Sequence, residues 1–440
     1  MESTSSVSLR PASWRAGAAA SIIVLAGLLV LYWHRQMPLL QEVREKPLPY
    51  LHHWDSQSYM FIAEGRLAEV MSPFSKRALY PWTARLLSDT TQLGLGSSFM
   101  VLNIVGFALL ATCLAMILEM LTGLAWLAIP LLLTPLPLES LELGYLPDLF
   151  HTALTALFFL LLLKDCDVAA LIVLFVSFIV RESTLLLCLT CSVVAFLHGR
   201  RILWIGSLIV LLAGTIITSA IAKQGQPNYH HLPDFVYLAL KVPYNFLANY
   251  FGIYIWTNAT DWVGEPLVHW KLPLFLQTEM HKEIGFRFEW RFPLTTLLVL
   301  MTVFGSGPFF LVALLKRLRT LLDVPLAMQL AFVYGILCFF LGPALGNWVE
   351  RLVGYAWPLF WILIPWFVYQ QWGSTLSARQ ISLCIAAYIL IAWWPSFFGG
   401  LESPAFIWSS LGLLLYLPLI ALRDYFLRGR EIPGHSDSLL

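Results

Sequence analysis

Charge is what this chain has least of. Asp, Glu, Lys and Arg make up only 12% of its 440 residues, while hydrophobic residues make up 59%. A soluble domain carries about twice that charge fraction. The composition therefore points to a polytopic helical membrane protein. The net charge of +1 argues against a nucleic-acid partner, which needs a basic surface. Six cysteines (113, 166, 188, 191, 338 and 384) fall almost entirely inside apolar stretches. Cys188 and Cys191 lack the His pattern of a zinc site and read as small core residues, and no disulfide framework is expected. The chain also lacks a Walker loop, a G-x-G-x-x-G opening a helix, an H-E-x-x-H and a G-x-S-x-G. A cytosolic nucleotide is accordingly not expected as co-substrate.

What is present is a series of apolar runs long enough to cross a hydrocarbon core of roughly 30 Å. After a polar tail (1–15) the first run spans about 16–33, an uncleaved span because no small-residue cleavage site follows it. Further runs lie near 98–119, 124–138, 147–163, 168–180, 183–197, 202–222, 293–315, 324–342, 353–370, 380–396 and 405–422. The expected fold is all-α, with about 12 membrane segments over 16–422 and a polar tail at 423–440. Two long polar loops, 34–97 and 223–292, interrupt the series. Of 27 Lys and Arg, 12 fall in the tails and short loops that this arrangement puts inside: Arg10, Arg15, Lys164, Arg200, Arg201, Lys316, Arg317, Arg319, Arg379, Arg423, Arg428 and Arg430. The short outer loops hold only Arg181 and Arg351. By the positive-inside rule both tails are cytoplasmic and both long loops face outward or into a lumen. The expected location is a bacterial inner membrane, or the endoplasmic reticulum of a eukaryote. Asn258-Ala259-Thr260, a glycosylation sequon, falls on that outer side.

The stretch 51–87 breaks the apolar pattern. Tyr59, Ile62, Ala63, Leu67 and Val70 recur at steps of three and four, which predicts an amphipathic helix. Asp55 precedes them, and reads either as the N-cap of that helix or as a carboxylate held at the lipid–water boundary for chemistry. Lys76 and Arg77 follow, with headgroup contact as one role and substrate phosphate as the other. His52 and His53 read as surface residues. Arg181-Glu182 interrupts an apolar run; it is either a self-neutralising turn or a phosphate grip, for which Arg is suited by its paired donors. Arg351 and Tyr355, four apart, share a helical face, as an interfacial anchor or as part of a site. Glu139, Glu142 and Asp148 flank a short outer loop. Charges in a membrane protein are costly and usually functional, and these converge on one face.

With those residues in view, the chain resembles the GT-C superfamily of integral-membrane glycosyltransferases. Three motifs carry the resemblance. The first is Trp54-Asp55-x-x-x-Tyr59-x-x-Ile62-Ala63-Glu64-Gly65 followed by Pro73-Phe74-x-x-Arg77-x-Leu79-Tyr80-Pro81, similar to the first outer loop of polyprenol-dependent mannosyltransferases. The second is Arg181-Glu182-Ser183-x-Leu185-Leu186-Leu187, and the third Glu350-Arg351-x-x-x-Tyr355-x-x-Pro358. The resemblance implies an inverting transfer of a sugar, mannose among the candidates, from a polyprenyl-phosphate donor to a hydroxyl on a lipid or glycan acceptor. Asp55 would be the general base. Arg181, Arg351, Arg77 and Lys76 would meet the phosphate, and Tyr59 would line the sugar pocket. Glu64, Glu142, Asp148 and Glu350 are the candidates for a second acid. No acid stands immediately beside Asp55, so a divalent cation, used by some members and not others, is left open. The competing expectations are a transporter or flippase of a lipid or small solute, and an inactive assembly subunit.

The topology has a direct test. Single cysteines introduced into 34–97 and 223–292 should react with an impermeant maleimide added from outside; labelling from the cytosolic side alone overturns the arrangement.

Overall fold

The computed structural model describes residues 10–11, 13–34, 54–227, 234–257, 284–288, 290–317, 321, 324–345, 349–372, 378–398 and 405–421. The first apolar run forms α1 (Trp14–His34). The first long loop holds α2 (Trp54–Ala63) and α3 (Leu79–Thr91), with 3-10 turns at Leu67–Glu69 and Phe74–Lys76 between them. The helix expected to continue to Val70 stops at Ala63, because Gly65 takes a φ of 84° that only glycine adopts cheaply. The apolar set is buried all the same. The turn brings Leu67 and Val70 back to Tyr59 and Ile62, in a cluster with Tyr80, Phe99 and Leu146.

The long α4 (Leu95–Thr122) packs against α1 and, further on, against α7. The run 124–138, expected as one crossing, is instead broken into α5 (Ala128–Leu132) and α6 (Pro135–Glu142). Pro130, Pro135 and Pro137 each remove a backbone donor, and Pro135 sits at the start of a helix, where that loss costs nothing. Next come α7 (Asp148–Leu163), α8 (Asp167–Val180), α9 (Thr184–Leu197) and α10 (Arg201–Ala222). The second long loop is not simply a loop. It contains α11 (Asp234–Phe251), packed on α14, and a two-stranded antiparallel ribbon, β1 (Ile253–Thr257) with β2 (Ile284–Phe288), in which Ile253 faces Phe288.

The remaining helices are α12 (Arg291–Phe304), α13 (Gly307–Leu315), α14 (Leu326–Leu345), α15 (Val349–Gly354), α16 (Ile364–Trp372), α17 (Ala378–Phe397), α18 (Ala405–Leu411) and α19 (Tyr416–Ala421), with a π-helical stretch at Pro358–Leu363. Apart from the ribbon, the described regular structure is helical. Among the described residues four helices are long and apolar enough to cross a membrane: α1, α4, α10 and α14. The α12–α13 pair makes a fifth if the two, bent by 94°, count as one span. Twelve crossings are therefore not matched by twelve helices of crossing length. α7, α8 and α9 are apolar but only 14 to 16 residues long.

Two glycines test how the bundle closes around its polar end. A Cβ on Gly342 would lie 2.8 Å from the backbone N of Val353 and 2.9 Å from its Cα. The bare glycine is what lets α14 touch α15, which carries Arg351. Gly342→Ala should lower the thermal midpoint in detergent by the equivalent of about 1–3 kcal/mol, as overpacking does. Gly17→Ala, with nothing within 4 Å of the added carbon, should not lower it.

Candidate functional site

The three motifs meet. Asp148 opens α7, where a carboxylate is favoured by the helix dipole, and it is buried. Its Oδ1 accepts from Arg351 Nε at 2.8 Å and from the Tyr355 hydroxyl at 2.8 Å, and it is bonded to Arg181 Nη1. Arg181 closes α8 in extended conformation, at a helix end that favours a cation, with its guanidinium 5.2 Å from the Tyr355 ring centre. Arg351 reaches a second carboxylate through another nitrogen, Nη1, which lies 3.1 Å from Asp55 Oδ2. Beside this group, Arg77 Nε donates to Glu182 Oε2 at 2.8 Å, its Nη2 pairs with Glu182 Oε1, and its Nη1 donates to the Tyr59 hydroxyl at 2.9 Å.

Backbone contacts hold the Arg77 loop in place. Gln226, just past α10, donates from its N to Val70 O at 2.9 Å and accepts from Ser72 N at 3.3 Å. Tyr80 bonds Gly144 O at 2.8 Å, which fixes α3 beside the approach to Asp148. Next to the cluster, His151 Nε2 lies 2.9 Å from Thr184 Oγ1, which is 3.2 Å from Ser177 Oγ. The His151 ring stands edge-on to Tyr355.

Three guanidiniums and three carboxylates thus form a network without net charge. Neutrality is what permits burial, since a lone buried charge costs several kcal/mol. The sides of the network differ. The side chains of Arg77, Arg181 and Arg351 are 9%, 5% and 10% exposed, and that of Asp148 is 8% exposed. Asp55 and Glu182 are 26% and 31% exposed. Asp55 and Glu182 are the exposed members, and Asp148 lies with the guanidiniums beneath them. A phosphate reaches a guanidinium here only by opening an ion pair.

The structure corrects several expectations. Arg181 and Glu182 do not neutralise each other; Arg181 goes to Asp148 and Glu182 to Arg77. Asp55 lies inside the first turn of α2, which starts at Trp54, not ahead of it as a cap. Arg77, Arg351 and Tyr355 are buried or nearly so on partners within the protein, not spread at a headgroup surface. Glu64 stands apart from the cluster, exposed and paired with Arg66 at 3.0 Å. Lys76 is half-buried at the end of the turn that Arg77 closes. Glu142 and Glu350 group with Glu139 on the other side of Arg351. A small cavity there is lined by Glu139, Ser140, Asp148, Glu350 and Arg351. Surrounding protein, then the charges of Glu350 and Glu142, push the Glu139 carboxyl up to about 7. His52, His53 and the sequon at 258–260 lie outside the described residues.

Among the described residues no group of three or more His, Cys, Asp or Glu could hold a metal ion. A roomier cavity of about 140 Å³ opens elsewhere, among Leu127, Leu131, Phe310, Phe360, Val368 and Ile385. No charged residue lines it, so this space and the polar chemistry are in different places. Hydropathy and motif spacing do not single out His151. The available signal was the i, i+3 spacing of Asp148 and His151 in an otherwise apolar run. Comparison with family models, with curated proteins and with solved structures finds no match.

The Glu182–Arg77 pair has a signature in pH. Burial raises the Glu182 carboxyl, but the charge and hydrogen bonds of Arg77 outweigh it and hold the group down at about 2, below its ordinary 4.5. An acid held low stabilises the fold above its unfolded pKa and loses that contribution as pH falls through the folded one. Stability in detergent should therefore drop between about pH 4.5 and 2. Glu182→Gln should be less stable at neutral pH and show a flatter acid limb, read by thermal midpoints across that window.

Proposed function

We propose that this protein is an integral-membrane glycosyltransferase of GT-C type, which moves a sugar from a polyprenyl-phosphate donor to an acceptor hydroxyl with inversion. One observation supports the reading above the others. Residues of three sequence-distant motifs, at 54–81, 181–187 and 350–358, are joined through Asp148 and Arg351 into a single buried polar cluster. The twelve-segment arrangement, with both long loops and the cluster on the outer or lumenal face, belongs to the same proposal. The shorter apolar helices would supply the crossings beyond the four or five of full length.

In this mechanism Asp55, partly exposed at the cluster's edge, takes the proton of the acceptor hydroxyl. The acceptor oxygen attacks the anomeric carbon from the face opposite the phosphate. The carbon–oxygen bond to phosphate breaks with its electron pair, and polyprenyl phosphate leaves. Arg351, Arg181 and Arg77 offset the charge growing on the leaving oxygen. Tyr59, fixed by Arg77, borders the sugar. A transporter would place polar residues at a helix break near mid-membrane. Here the break between α12 and α13 adjoins the apolar cavity, lined by Ser306, Gly307 and Phe310, so the break does not favour transport.

The decisive substitution is Asp55→Asn, which keeps shape and removes the base. Sugar transfer by the purified variant from a polyprenyl-phosphate donor should fall by at least roughly 10²-fold in a protein that stays folded, its thermal midpoint lowered only by the equivalent of about 1 kcal/mol for the partly exposed pair. Near-normal transfer by a well-folded Asp55→Asn protein ends the catalytic assignment.

A further inference from the structure

Arg351 serves two carboxylates through two different nitrogens, and the two contacts are unequal. Toward Asp148 it donates from Nε at 2.8 Å, onto an oxygen that also holds Arg181 and Tyr355, in a side chain 8% exposed. Toward Asp55 it donates from Nη1 at 3.1 Å, onto a side chain 26% exposed. A buried, multiply bonded pair is costly to open, and a partly exposed single contact is cheap. When an anion arrives, Asp55 is therefore the partner that yields, while Asp148 keeps the guanidinium where it is.

We infer that Arg351 is shared between Asp55 and the anionic oxygen of a phosphate-bearing substrate, so that the substrate displaces Asp55 from Arg351, and that Asp148 is the positioning residue that makes this exchange possible. The inference rests on the glycosyltransferase reading and adds an order of events. In the resting protein Asp55 Oδ2 is occupied by Arg351 Nη1. The donor's phosphate takes over Arg351 Nη1 and the carboxylate is released toward the acceptor hydroxyl. Donor binding and release of the base are one step, so the donor binds first. The neutral network accepts the extra negative charge at one of its two partly exposed edges, where solvent helps to carry it.

The experiment measures binding of a short-chain isoprenyl phosphate to the full-length protein in detergent, for wild type, Asp55→Asn, Arg351→Gln and the double variant. Asp55→Asn removes the competitor. It should bind the probe more tightly, by up to about fivefold, the range set by a partly exposed ion pair, although it no longer transfers sugar. In the Arg351→Gln background the same substitution should change nothing, because the shared partner is gone. If Arg351→Gln does not fold, Arg351→Lys replaces it, since an ammonium cannot reach both carboxylates through separate nitrogens. Unchanged or weaker binding by Asp55→Asn overturns the sharing. So does tightening that persists without Arg351, which would show a general effect of charge. Failure of wild type to bind the probe removes the phosphate reading itself, a result distinct from either.

Discussion

A guanidinium cannot be buried alone in this protein, and that constraint organises its polar end. Arg77, Arg181 and Arg351 lie almost wholly out of solvent. Each needs a carboxylate within reach, and every one comes from a distant part of the chain: Glu182 for Arg77, Asp148 for Arg181, and Asp148 with Asp55 for Arg351. The helices must bring those partners together or leave an uncompensated charge, at a cost of several kcal/mol each. Pairing thus does for the polar end what apolar contact does for the rest of the bundle. It also explains the use of glycine at 342, where a side chain would push α15, and Arg351 with it, away from its place.

Much of this was legible in the sequence. Composition gave the class, and hydrophobic runs gave helix positions to within a few residues for α4, α7, α8, α9 and α10. The count of crossings was less legible, because hydropathy registers apolar residues and not backbone breaks. Pro130, Pro135 and Pro137 split a stretch that is apolar throughout, and a bend at Gly305 does the same between α12 and α13. α11 went unread for the opposite reason: its Asn, Tyr and Lys made an 18-residue helix look like loop.

For the site, the sequence showed which residues were out of place in an apolar chain: Asp55, Arg77, Asp148, Arg181, Arg351. It did not show their pairing. Arg181 and Glu182 are neighbours and suggest a self-neutralising turn. At a helix end, however, consecutive side chains diverge, and each found a partner that lay closer in space than its neighbour did. Nor did it show that Asp55 and Glu182 would be the exposed members with the cations beneath, which changes what an approaching ligand meets first.

The cluster also imposes a timetable on the chain. Asp148 and Arg181 are 33 residues apart, and their bond can form as soon as α7 and α8 are paired. The Arg77–Glu182 bond spans 105 residues, and the contact between Asp55 and Arg351 spans 296. During synthesis from the N-terminus, Asp55 waits for its partner through most of the chain, and the network reaches neutrality only when α15 arrives. Contacts of such separation are slow to form. A chain cut short before Arg351 would carry an unbalanced negative charge at its polar end, so the contact that closes the site also balances it.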